Sequence, residues 1–240
     1  MPLSRLASRF DLGAQPYAHR GLWRPEGPVE NSLTAFLAAA EAGYGIELDV
    51  RPSKDGVPIV FHDPTLDRLT EQTGLVNNLT ALELANISLS GTSDQIPTLA
   101  DLLAHLPETC PILCELKIDG ETSARAFAQT VGECLVAYSG PAAAMSFSEA
   151  AFAALPSDLM RGQLIPPSSM IGDTALANMV ERSHLSGADY LACHVGDVDH
   201  VHRLKSESTP LTVWTVKDRT THDQVITLVD AVIFEQYDPN

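Results

Sequence analysis

The sequence predicts an α/β fold, a closed (β/α)8 barrel, on two observations. Short apolar, β-prone runs alternate with amphipathic or alanine-rich segments, and eight such runs follow one another along 240 residues. Helices between successive strands make the strands parallel, and eight of them favour a closed barrel over an open doubly wound sheet. A chain of this length fits one such domain, so residues 1–240 are read as a single barrel.

In order, strands are expected near 16–19, 45–50, 111–117, 143–147, 162–165, 188–194, 211–216 and 231–235. Helices are expected over 32–42, 99–105, 121–138, 148–155, 173–182, 198–206 and 220–228. The connection at about 51–98, after the second strand, is too long for a structureless βα loop in a compact domain, so it is read as a small insertion. Lys54-Asp55-Gly56 is a turn signal, and residues 57–62 then read as a strand returning antiparallel.

Composition narrows the function. An apolar content of 45% with 19% charged residues is that of an ordinary globular protein. A net charge of −16 repels polyanions, which excludes nucleic acid as a partner; any phosphate on a substrate must be met by a metal or a few placed cations. Cys110, Cys114, Cys134 and Cys193 match neither a disulfide framework nor a usual zinc spacing and are read as reduced thiols. Arg5 and Arg9 precede no apolar leader-like run and no run of eighteen apolar residues occurs, so a cytoplasmic protein without a stable membrane anchor is expected.

Charged residues end otherwise apolar strands in three places: His19-Arg20-Gly21, Glu47-Leu48-Asp49 and Glu115-Leu116-Lys117. Active sites of (β/α)8 barrels gather at the C-terminal strand ends. Residues two apart on a strand share a face, so Glu47 aligns with Asp49, and Glu115 with Lys117. Glu47 and Asp49 alone would read as strand-end carboxylates paired with surface lysines; joined by Glu115 they form an all-oxygen set suited to one hard divalent cation, Mg2+ or Ca2+. His19 and His62 also follow β-prone runs, and Asp63 after His62 is read either as fixing an imidazole tautomer or as holding the loop. Two histidines beside a metal suit acid and base catalysis, with Arg20 and Lys117 as local positive charge for a phosphodiester. His194 either lines the pocket or lies in a loop, while His200 and His202 read as solvated helix positions with no second metal.

These segments, with Glu30-Asn31-Ser32, Val60-Phe61-His62-Asp63, Ser146-Phe147 and Val213-Trp214-Thr215-Val216 in order, resemble the glycerophosphodiester phosphodiesterase family over nearly the whole chain. The resemblance implies a (β/α)8 (TIM) barrel, a divalent metal and hydrolysis of a small-molecule glycerophosphodiester to glycerol-3-phosphate and an alcohol. It makes Glu47, Asp49 and Glu115 the metal ligands and His19 and His62 the acid–base pair. It also sets Arg20 and Lys117 toward phosphate, Trp214 on the wall near the alcohol and Glu30 beside the catalytic histidine and arginine. Asn31 either belongs to the site or caps the following helix. The chain departs from the family in two places: Ala231-Val232-Ile233-Phe234-Glu235 puts a bulky residue where the family's last strand has a polar one, and Lys217 replaces a common asparagine, which is expected to alter the pocket rim. The alternatives are a lysophospholipase D or sphingomyelinase D activity on the same scaffold and a non-catalytic barrel binding a phosphate-bearing ligand.

Overall fold

In the computed structural model, which describes residues 10–118 and 124–240, nine strands form one sheet. They are β1 (Tyr17–His19), β2 (Gly45–Pro52), β3 (Pro58–Val60), β4 (Ile112–Leu116), β5 (Ala142–Ser146), β6 (Met160–Ile165), β7 (Tyr190–His194), β8 (Leu211–Val216) and β9 (Ala231–Phe234). Eight are parallel, and β1 pairs with both β9 and β2, which closes the barrel as expected. The helices are α1 (Leu33–Glu41), α2 (Ala81–Leu84), α3 (Leu99–His105), α4 (Ala124–Ala137), α5 (Glu149–Phe152), α6 (Ser168–Ile171), α7 (Asp173–Ser186), α8 (Val198–Leu204) and α9 (Arg219–Val225).

Some bounds differ from expectation for local reasons. The helix expected over 148–155 is one turn of α5, ahead of Pro156, which disfavours helical geometry in the residue before it. The stop expected at 182 moves to Ser186, where Gly187 takes a left-handed φ of 78° and caps α7. The expected start of α4 at 121, and Arg5 and Arg9, lie outside the described residues.

Strand alternation divides the core. Ile46, Leu48 and Val50 of β2, with Ile112, Cys114 and Leu116 of β4, face outward against Phe36 of α1, Leu102 of α3 and Val131 of α4. Residues of the opposite parity, Tyr17, Leu113, Met145, Leu164, Tyr190 and Ile233, fill the lumen. Gly162 permits this filling: a Cβ there would lie 2.2 Å from the ring of Tyr190. The insertion has its own small core, including Ile59, Phe61, Leu66, Val76 and Leu84.

β2 carries on above the barrel and turns at Gly56, whose φ of +79° suits glycine, so that β3 returns along it with Val50 opposite Val60. Phe61 N–H then donates to Asp49 O at 3.0 Å, which brings His62 back over the mouth. Among the described residues, no helix is long and apolar enough to cross a membrane.

Candidate active site

Register builds the site. His19 pairs with Glu47 across β1 and β2, and Asp49 with Glu115 across β2 and β4. All four side chains therefore project into the lumen at the C-terminal ends of adjacent strands, above Tyr17 and Leu113. Ligand oxygens of Glu47, Asp49 and Glu115 lie within 4.8 Å of one another, the residues being 2%, 1% and 7% exposed.

Three buried carboxylates at that spacing face two permanent cations. Arg20 Nε lies 3.2 Å from Asp49 Oδ2, and Lys117 Nζ bridges Asp49 Oδ1 at 3.1 Å and Glu115 Oε1 at 2.6 Å. Burial opposes ionisation of Asp49, but Lys117 and Arg20 outweigh it and hold its carboxyl below the usual range. Glu47 is pushed well up by burial and by Asp49 and Glu115, and Glu115 is raised by burial despite Lys117. The cluster is thus short of positive charge, and its donors are oxygen alone, the set that suits a hard divalent ion. These residues fit such an ion.

The β1–α1 connection turns tightly to present its groups. Arg20 and Asn31 both have φ of 57°, and Gly21 has φ of +83° with α1 so close that a Cβ would lie 2.8 Å from Ala35 C. Arg20 N–H donates to Glu47 Oε2 at 3.2 Å, and its guanidinium donates to Glu30 Oε1 at 2.6 Å. Asn31 does not cap α1. Ser32 does, its hydroxyl accepting from Ala35 N–H at 3.1 Å, while Asn31 Nδ2 donates to Asp49 Oδ2 at 3.0 Å and its Oδ1 accepts from Asp49 N–H at 3.3 Å. Asn31 therefore holds a carboxylate of the cluster from both sides.

Each histidine has a carboxylate behind it. His19 Nδ1 lies 2.6 Å from Glu235 Oε2, and His62 Nδ1 lies 2.7 Å from Asp63 Oδ1. Burial raises Glu235, but its bonds to His19 and Lys217 reverse this and keep it ionised; hydrogen bonds from Arg68 hold Asp63 down at about 2. An ionised carboxylate only accepts, so Nδ1 donates in both pairs and Nε2 is left for chemistry. His19 Nε2 lies 4.0 Å from Glu47 Oε2. Burial, with Lys117 and Arg20, lowers the His62 pKa against the pull of Asp49, favouring the neutral imidazole.

Glu235 went unread as a site residue in the sequence, although alternation along β9 supplies the signal. Ile233 faces the lumen, Phe234 packs outward 4.8 Å from Tyr44, and Glu235 turns inward again. The bulky departure at Phe234 thus leaves the pocket wall untouched, and the other departure, Lys217, pairs with Glu235 Oε1 at 3.2 Å. Arg68 was missed as well; it bonds Glu30 and Asp63. Trp214 lines the pocket, edge-on to Phe147 at 5.9 Å and to His194 at 5.4 Å. His194 Nδ1 accepts from Gly196 N–H at 3.1 Å, His202 donates to Leu228 O at 2.7 Å, and His200 lies 3.9 Å from Asp173. These three join no metal-type cluster among the described residues.

The central pocket, about 150 Å3, is lined by His19, Arg20, Glu47, His62, Glu115 and Lys117 on its polar side and by Met145, Leu164, Trp214 and Ile233 on its apolar side. A cleft of about 360 Å3 adjoins it, sharing Glu115, Lys117 and Phe147 and adding Arg51, Ser146 and Ser148.

Residues 19–238 match the model of the Glycerophosphoryl diester phosphodiesterase family. A probable glycerophosphodiester phosphodiesterase 2 of Mycobacterium tuberculosis is 40% identical over 92 residues, 38% of this chain and 34% of that protein. Glycerophosphodiester phosphodiesterase 1 of Homo sapiens is 34% identical over 97 residues, 37% of this chain and 29% of that protein. The matched segment spans about a third of the length of these curated relatives. Among solved structures, a Thermotoga maritima glycerophosphodiester phosphodiesterase superposes with a TM-score of 0.75 at 27% identity, covering 92% of this chain and 94% of its own. An Oleispira antarctica phosphodiesterase, solved with the product sn-glycerol-3-phosphate, gives 0.78 at 24%, covering 92% of each; at that identity it speaks for the fold.

Proposed function

Because the chain belongs to the glycerophosphoryl diester phosphodiesterase family, we propose that it hydrolyses glycerophosphodiesters to glycerol-3-phosphate and an alcohol, with one Mg2+ or Ca2+ held by Glu47, Asp49 and Glu115. The observation that carries this reading is one lumenal site where three buried carboxylates meet, with His19 and His62 each backed by its own carboxylate. A binding module would have no use for two oriented proton carriers. The proposal takes residues 1–240 as one barrel domain with an insertion at about 51–98.

When bound, the cation would supply the positive charge that draws in the phosphate and stabilises charge developing on its oxygens. Arg20 binds a phosphate oxygen with the guanidinium that Glu30 orients from behind. Lys117, fixed by Asp49 and Glu115, adds the second positive charge, so the site attracts an anion against the chain's net −16. One imidazole Nε2 takes the proton of the attacking oxygen and the other protonates the leaving oxygen; the attacking oxygen is water or the neighbouring hydroxyl of the substrate's glycerol. At about 150 Å3 the pocket is small for a whole ligand, so the diester lies across it with one arm against Trp214 and the other in the adjoining cleft.

The test is a panel of glycerophosphodiesters with choline, ethanolamine, glycerol or inositol as the alcohol, read by release of glycerol-3-phosphate, run beside a lysolipid read by release of its free alcohol. Each reaction is repeated with chelator and with Mg2+ or Ca2+ restored. Chelator-sensitive turnover of a soluble diester is expected. Turnover of the lysolipid alone would favour the lysophospholipase D reading, and turnover indifferent to chelation would remove the metal.

A further inference from the structure

Arg68 lies in the insertion, outside the barrel, yet all its side-chain nitrogens are spent on two carboxylates of the site. Nε and Nη2 donate to Asp63 Oδ2 at 2.6 Å and Oδ1 at 2.9 Å. Nη1 and Nη2 donate to Glu30 Oε2 at 2.8 Å and Oε1 at 2.8 Å. Asp63 Oδ1 is also the atom that accepts from His62 Nδ1, and Glu30 Oε1 is the atom that accepts from Arg20 Nη1. One planar cation thus joins the acid–base imidazole to the phosphate-binding guanidinium. Two bidentate forks at right distances are a geometry that a lysine ammonium cannot reproduce. The neighbours anchor it: Leu66 is buried in the insertion core, Leu69 packs against that core, and Thr70 N–H closes a turn on Leu66 O at 3.1 Å.

We propose that Arg68 is a positioning residue, which sets the His62 imidazole through Asp63 and the Arg20 side chain through Glu30, so that the insertion holds proton transfer and phosphate binding in one register. This deepens the phosphodiesterase reading and rests on its roles for His62 and Arg20. An isolated surface ion pair would contribute little. Here, however, the Glu30 and Asp63 side chains are only 6% and 18% exposed, and each also grips a group aimed into the pocket. The hydrogen bonds of Arg68 keep Asp63 ionised down to about pH 2, so it remains an acceptor for His62 throughout the working range. Small misplacements of reacting groups cost large factors in rate, which makes such a clamp consequential.

The experiment compares wild type, Arg68→Ala, Arg68→Lys, Asp63→Asn and the Arg68→Ala/Asp63→Asn double variant in the full chain, each checked for folding by circular dichroism. Arg68→Ala should lower kcat about 10–100-fold, in the range found when groups behind a catalytic ligand are removed, and raise KM as Arg20 loosens. In the Asp63→Asn background the same change should lower kcat little further, because both act through His62. Because Arg68 is 46% exposed, free guanidinium should enter the gap and restore part of the lost rate to Arg68→Ala, but not to Arg68→Lys. Independently of turnover, 15N-labelled histidine NMR, assigned with His62→Ala, should show a protected His62 Nδ1–H in wild type that is lost in Arg68→Ala and regained with guanidinium. If Arg68→Ala does not fold, Arg68→Lys should still show the kcat loss and the lost signal. Wild-type kinetics and an unchanged imidazole signal in a folded Arg68 variant would overturn the proposal, as would kcat losses that simply add to those of Asp63→Asn. A wild type that cleaves no diester would instead refute the phosphodiesterase reading, and the imidazole signal alone would then decide whether Arg68 holds His62.

Discussion

Replacing Asn31 by alanine tests how the carboxylate cluster is assembled. Asn31 is 1% exposed, has φ of 57°, and both donates to and accepts from Asp49. Its loss strands the buried Asp49 N–H, at about 1–3 kcal/mol for an unsatisfied buried donor. Alanine in left-handed geometry adds about 1–2 kcal/mol, which asparagine partly escapes. Asn31→Ala should therefore cost about 2–5 kcal/mol in urea denaturation, out of a total stability of about 5–15 kcal/mol for ordinary domains. Asn31→Gly removes the same hydrogen bonds without the steric term and should recover about 1–2 kcal/mol of that loss. In both variants Asp49 is less well aimed, so Mg2+ or Ca2+ affinity by titration calorimetry should fall about 10–100-fold. Asn31→Ala as stable as wild type to within about 1 kcal/mol, or with unchanged ion affinity, would refute the reasoning.

The remaining expectations follow from the same geometry. His19→Ala and His62→Ala should each lower kcat by about 10²–10⁴ while ion binding, measured by calorimetry, is retained. Glu235→Gln should cost about 10–100-fold in kcat. Lys217→Ala should stay within about threefold of wild type, because the Lys217 side chain is 64% exposed and its pair with Glu235 is screened. Asp63 has its pKa lowered from 3.8 to about 2, first by its hydrogen bonds to Arg68, so the folded state favours its charged form. Its contribution to stability is present above about pH 4 and is lost as pH falls through about 2. The gap in urea midpoint between wild type and Asp63→Asn should close over that window; a gap that widens on acidification would contradict the sign.

The barrel was legible because its strands are short apolar runs punctuated by charge at one end, a pattern that survives without tertiary information. Residues 211–216 coincide with β8, and residues 99–105 coincide with α3. The single turn of α6 was not legible: its four residues are too few to show a helical period. At the site, Glu47, Asp49 and Glu115 could be aligned from strand alternation alone, and the structure brings them together. Arg68 had no local signature, since its partners lie 5 and 38 residues away and only the fold joins them. Asn31 and Ser32 are adjacent cap-type residues, and which of them caps α1 depends on one residue of helix phase. Glu235 is masked in the sequence by the bulky Phe234 before it, whose ring faces the helices and has no part in the pocket.

The pairing of Asp49 with Glu115 sets different tolerances for length change across the molecule. Deleting one residue between Gly45 and Asp49 would swap the two faces of β2, turning Ile46, Leu48 and Val50 into the lumen and driving acids into the helical layer. Deleting two would restore the faces but shift the acids by about 6.6 Å along the strand, out of step with Glu115. The staves of this barrel can thus vary in composition but not in length, whereas the hairpin tip at Lys54-Asp55-Gly56, above the mouth, is where added residues would leave the chemistry in place.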